Sequence, residues 1–160
     1  MPGSLPESRP GELALDTPIE IHAGLSFIGK IRSPWGPGDC PKNLRVARER
    51  GGAAFVDLAP EFTPALHGLG VDQHIMLLYW VDRGQRDLIV QNPAHTEGPR
   101  GVFSLRSPVR PNPIALACVK IVQIEGARLH LDAIDAWDGT PVLDIKPWLP
   151  TVDAPPDWRG

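Results

Sequence analysis

Hydrophobic positions along this chain come in short runs that alternate with polar ones, and no long stretch keeps a helical period. Ile19 to Ile31 alternates well enough for a strand or hairpin arm, with Phe27, Ile28 and Ile31 as expected core. Ala53 to Leu58, Leu88 to Val90, Ile114 to Ile124, Arg128 to Ile134 and Pro141 to Ile145 read as further short strands. His74 to Val81 is the most apolar run, and its length and aromatic content favour a buried strand over a helix. Helical spacing is confined to Asn43–Arg50, stopped by Gly51-Gly52, and to Pro60–Leu69. Glu125-Gly126-Ala127 reads as a hairpin turn and Asp138-Gly139 as another.

Nineteen prolines and sixteen glycines reinforce this reading, because proline removes a backbone donor and breaks helix interiors. Six to eight closely spaced strands predict a mainly β fold. We expect a small closed or nearly closed, mostly antiparallel β-barrel with short helical segments, which removes exposed sheet edges. No strand–GxGxxG–helix unit is present, so a Rossmann nucleotide site is not expected. At 160 residues the chain fits one domain over 19–152. The Pro-, Gly- and Ser-rich residues 1–18 read as a flexible tail and 153–160 as a short C-terminal one.

Charge is unevenly spread. Residues 30–50 hold six Lys/Arg against two acids, residues 100–120 hold four basic residues and no acid, and the last forty hold seven acids against three basic residues. Two basic islands on an acidic body suit local contact with an anion, not a broad grip on nucleic acid. Cys40 and Cys118 lack metal-ligand spacing, so no metal site is expected. With no secretory signal and no membrane-spanning run, a reduced cytoplasmic protein is the expectation.

Gly101 to Lys120, GVFSLRSPVRPNPIALACVK, organises the chain. This stretch opens with alternating apolar positions, Val102, Phe103 and Leu105, and Pro108, Pro111 and Pro113 then stiffen an arch that carries Arg106, Arg110 and Asn112 between two expected strands. Two guanidiniums held with little ordering entropy to lose suit a carboxylate or phosphate, although arginines in such crossovers also pair locally. In the stretch Asp135 to Pro147, two carboxylates three residues apart flank a turn. Asp138 suits either the turn itself or a ribose hydroxyl or ammonium group. Asp144 beside Lys146 reads as an ion pair on the last strand.

RSPVRPNPI, DGTPVLDIKPWLP, the early IGKIRSPW and the His74-led apolar strand resemble the TrmO-like tRNA methyltransferases, also called the YaeB or VirR type. The likeness covers residues 25–152. It implies a β-barrel that binds S-adenosylmethionine, works as a homodimer, and methylates N6 of threonylcarbamoyl-adenosine at position 37, in the anticodon loop of tRNA. Carried over by motif, the cofactor loop falls on Pro41, Lys42 and Asn43. His74, Arg106, Leu116 and the turn Asp135, Ala136, Trp137 and Asp138 complete the implied cofactor contacts. Arg110 and Asn112 are the expected substrate-positioning residues, and His74 a late acceptor of the proton. Pro41-Lys42-Asn43 stands where the family has Pro-Arg-Gln, and Ala115-Leu116-Ala117 where it has Gly-Leu-Ser. A same-fold enzyme acting on another small anionic substrate, and a non-catalytic S-adenosylmethionine-binding module, remain alternatives.

Overall fold

The computed structural model describes residues 8–159. They form two compact units. One is built from Leu25–Trp80 together with the chain from Leu116 onward, and the other from the residues up to Gly24 together with Val81–Ala115. Both lie across the span read as a single domain.

The larger unit is a barrel. Its strands are β2 (Gly29–Arg32), β3 (Phe55–Leu58), β4 (His74–Trp80), β7 (Ile114–Glu125), β8 (Arg128–Leu131) and β9 (Pro141–Pro147). They close in the order β2-β3-β8-β7-β4-β9, so the closed antiparallel barrel expected from the strand pattern is present. Closure satisfies the ladder donors that an open sheet would leave at its edges.

The alternation explains the interior. On β4, Ile75, Leu77 and Tyr79 are buried, and on β7 Ala117, Val119 and Ile121 are. Ile31, Val56, Leu129 and Val142 join them from the other strands, each shielded completely from solvent. Each such aliphatic side chain contributes about 1.5–3 kcal/mol by leaving water. Gly29 permits a close crossing: a Cβ there would stand 2.4 Å from the Asp57 carbonyl oxygen and 2.8 Å from Leu58 Cα. The glycine of IGKIRSPW is therefore dictated by β2–β3 contact.

Helix α1 (Leu44–Arg50) starts at Asn43, whose side chain accepts the Val46 amide, and stops at Gly51, which takes φ 66°. Arg48 fastens it to the barrel, through Nε to Asp132 at 2.8 Å and Nη2 to the Cys118 carbonyl at 3.1 Å. Pro60–Leu66 is a 3-10 helix with proline at its start and inside it. A second short helix, α2, covers Pro150–Asp153. Asp144 and Lys146 pair at 2.7 Å on β9, as their spacing suggests.

The smaller unit holds a three-stranded sheet in the order β1-β5-β6, from β1 (Leu13–Ala14), β5 (Leu88–Gln91) and β6 (Arg100–Gly101). The tail expectation needs correction at its second half. Leu13–Ala14 pair with β5, Arg9 Nη1 donates to the Asn92 carbonyl and Asn92 Nδ2 to the Pro10 carbonyl. Residues 1–7 of that tail lie outside the described residues. Two further expectations fail. Residues 19–28 form no strand and Phe27 is exposed, because the pairing that selects β2 begins only at Gly29. Val102–Ser104 is a 3-10 turn that leaves Phe103 exposed, so apolar alternation there does not mark a strand.

Candidate functional site

In the barrel unit the acidic turn between β8 and β9 is held by the stretch Ile31 to Trp35. Trp35 Nε1 donates to the Ile134 carbonyl at 2.7 Å and Ser33 Oγ to the Ala136 carbonyl at 2.7 Å. The amides of Asp138 and Gly139 donate back to the carbonyls of Trp35 and Ile31, at 2.9 and 2.8 Å. Ser33 N–H donates to Asp138 Oδ1 at 3.2 Å, and Arg32 Nη1 lies 3.6 Å from Oδ2. The Asp138 side chain nevertheless remains half exposed. A buried scaffold thus presents a solvent-facing carboxylate on a turn with little freedom.

Asp135, at the start of the same turn, meets two other parts of the barrel unit. Its carbonyl accepts the Cys40 thiol at 3.3 Å and its carboxylate accepts the Tyr79 hydroxyl at 3.2 Å. Burial, reinforced by the nearby Asp135 carboxylate, pushes the Cys40 thiol up from 9.0 to about 11, so it is a proton donor and not a nucleophile at neutral pH. Cys40 leads directly into Pro41, Lys42 and Asn43. Pro41 is buried, whereas Lys42 and Asn43 are exposed. Arg50, at the far end of α1, pairs with Asp39 at 2.8 Å and lies 4.3 Å over the Trp35 ring. The loop 41–43 and the turn 135–138, separate in sequence, are therefore joined. The Asn43 side-chain oxygen is committed to the Val46 amide and its backbone carbonyl to the Ala47 amide, so that residue offers a ligand donors, its backbone N–H and its side-chain Nδ2, and not acceptors.

His74 does not join them within the chain. It opens β4, while Tyr79, which touches Asp135, lies five residues further on, about 17 Å along an extended strand. Its exposed ring instead meets Trp148 edge-on, with centroids 6.2 Å apart. Ile121 bonds the backbone of Gln73 beside His74, so Leu116, five residues earlier on β7, lies away from the His74 end of β4. Leu116 is exposed.

The proline arch belongs to the smaller unit. Arg110 turns its guanidinium onto the arch itself: Nη1 donates to the carbonyls of Leu105 and Ser107 and Nη2 to that of Val102, all at 3.1 Å. Arg86 Nε donates to the Pro111 carbonyl at 2.8 Å, and the Val81 amide to that of the fully buried Pro113 at 2.9 Å. The expected stiffness is present, but much of Arg110's hydrogen-bonding capacity supplies it. Arg106 and Asn112 are exposed.

Sequence reasoning passed over Arg32, Ser33, Cys40 and Tyr79. Tyr79 carried a signal, since it is the one hydroxyl-bearing side chain on the buried phase of the most apolar strand, and a buried hydroxyl needs a partner.

Residues 30–154 match the family described as the tRNA-methyltransferase O N-terminal domain. A probable S-adenosyl-L-methionine-binding protein VirR of Rhizobium radiobacter is 39% identical over 140 residues, covering 87% of this chain and 78% of that protein. An S-adenosyl-L-methionine-binding protein of Archaeoglobus fulgidus is 42% identical over 131 residues, 81% of this chain and 91% of its own. The tRNA (adenine(37)-N6)-methyltransferase of Mus musculus is 35% identical over 132 residues, which are 81% of this chain but 30% of the mouse protein. A crystal structure of TrmO superposes with a TM-score of 0.66 at 34% identity, over 88% of this chain and 64% of that one. The chain thus spans under two thirds of the solved TrmO chain and under a third of the mouse enzyme.

Proposed function

The chain belongs to the tRNA-methyltransferase O N-terminal domain family, and from that premise we propose that it is an S-adenosylmethionine-dependent methyltransferase acting on N6 of threonylcarbamoyl-adenosine 37 of tRNA. The observation that carries this reading is the junction of the 41–43 loop with the 135–138 turn through Cys40 and Asp135. The donor set fits the cofactor's polar groups: Lys42 and the loop amides suit a carboxylate, and the carboxylates of Asp135 and Asp138 suit ribose hydroxyls or an ammonium group. Ala136, Trp137 and Leu116 would supply apolar wall. S-adenosylmethionine supplies an electrophilic methyl carbon when bound.

The task left to these side chains is orientation and exclusion of water. Arg110 holds the arch in shape, and Asn112 with Arg106 would orient the acceptor's anionic group. The N6 proton need not leave before attack, and we give His74 no part in its removal. We further propose that the protein works as a homodimer in the cytoplasm. Among the described residues no helix is long and apolar enough to cross a membrane.

Mass spectrometry of tRNA nucleosides from cells lacking the gene tests the reading: the N6-methylated threonylcarbamoyl-adenosine should disappear and return on complementation. Its unchanged persistence would refute the tRNA assignment. One observation favours a second reading, a cofactor-binding module without transfer: the Arg110 guanidinium is engaged by three carbonyls of its own arch. Incubation with methyl-labelled cofactor and unmethylated tRNA separates the two, because only the enzyme transfers label.

A further inference from the structure

Arg32 and Ser33, from the IGKIRSPW stretch, meet the acidic turn but are absent from the motif-derived site. We propose that Arg32 is a positioning residue that fixes the Asp138 carboxylate for its ligand; this rests on Asp138 being a cofactor contact. Arg32 sits at the end of β2, opposite Phe55 of β3, so its backbone is fixed by the ladder. Its guanidinium spans two carboxylates, with Nε 3.6 Å from Asp57 Oδ2 and Nη1 3.6 Å from Asp138 Oδ2.

Asp57 already has a full partner. Arg128 grips it through Nε at 2.7 Å and Nη2 at 3.2 Å, and lies 4.1 Å over the Phe55 ring. The positive charge of Arg32 is therefore surplus to Asp57, which serves to hold the Arg32 guanidinium in place. That charge serves Asp138. Ser33 N–H donates to one carboxylate oxygen and Arg32 draws on the other. The remaining acceptor capacity of a half-exposed carboxylate faces solvent in a set rotamer, so less ordering is left for binding to supply.

A double-mutant cycle on S-adenosylhomocysteine affinity, read by calorimetry, tests this. Arg32→Gln should weaken binding about fivefold, Arg32→Lys should recover part of that loss, and Arg32→Gln in an Asp138→Asn background should add nothing further. Thermal melts of each variant report folding separately, and a purely structural role would weaken binding equally in both backgrounds. That equal loss, or full affinity in Arg32→Gln where Asp138→Asn binds weakly, would overturn the positioning role. Unchanged affinity in Asp138→Asn would instead overturn the assignment of Asp138, and the proposal with it.

Discussion

The Cys40 thiol donates to the Asp135 carbonyl at 3.3 Å, and this contact ties the loop before α1 to the turn before β9. Its chemistry depends on the thiol staying protonated. Burial and the Asp135 carboxylate raise the folded value to about 11 from 9.0. The folded state thus prefers the neutral thiol. The stabilisation is complete below pH 9 and is lost as pH rises toward about 11, because the unfolded thiol ionises first. Alkaline denaturation should therefore begin in that window and be shallower in Cys40→Ser. At neutral pH alkylation of Cys40, followed by peptide mass spectrometry, should lag an ordinary thiol by about 100-fold, the ratio of thiolate fractions.

Gly29→Ala should cost about 2–3 kcal/mol in urea denaturation. The added methyl meets backbone, not a movable side chain, on the facing strand. A wild-type midpoint would show that β2 and β3 can separate at no cost.

The Arg48–Asp132 pair secures α1, and with it the 41–43 loop. Partial burial opposes ionisation of Asp132, but the Lys120 amide and the Arg48 guanidinium outweigh it and hold the carboxyl below its ordinary 3.8. That stabilisation is present above the ordinary value and is lost as pH falls through the lower folded one. Because Arg48 is 43% exposed, screening limits the loss in Asp132→Asn to about 1–2 kcal/mol. Denaturant melts at pH 7 and pH 3 should show the difference between variant and wild type narrowing at the lower pH.

Much of this was legible in the chain. Near-continuous apolar runs at residues 75–80 and 114–119 mark barrel strands, and along both it is burial that alternates, so a one-residue slip would expose every core side chain. Phe103 and Phe27 misled for a complementary reason: alternation proposes a strand, but only a neighbour with free donors makes one. Motif resemblance named the loop, the turn and His74 together; within the chain the loop and the turn are joined through Cys40 and Asp135, while His74 stands at the other end of β4 from Tyr79. Spacing along the sequence does not report which end of a strand meets a turn from elsewhere in the chain. Nor could it show that Arg110 would be engaged by its own arch, since carbonyl directions depend on the fold.

Arg110→Lys separates bracing from ligand recognition. Lysine keeps the charge but loses the fork that reaches three carbonyls, so the arch should loosen. Limited proteolysis within residues 102–113 should speed up several-fold even without substrate. Wild-type cleavage kinetics would contradict the bracing role.

The central claim, that the loop and turn joined at Cys40 and Asp135 hold S-adenosylmethionine, is met most directly by calorimetric titration of the cofactor into wild-type protein and Asp135→Ala. The account predicts saturable binding to the wild type and at least about tenfold weaker binding to the folded variant, the loss of one charge-assisted contact. No binding to the wild type at millimolar cofactor, or equal affinities in the two proteins, would contradict it.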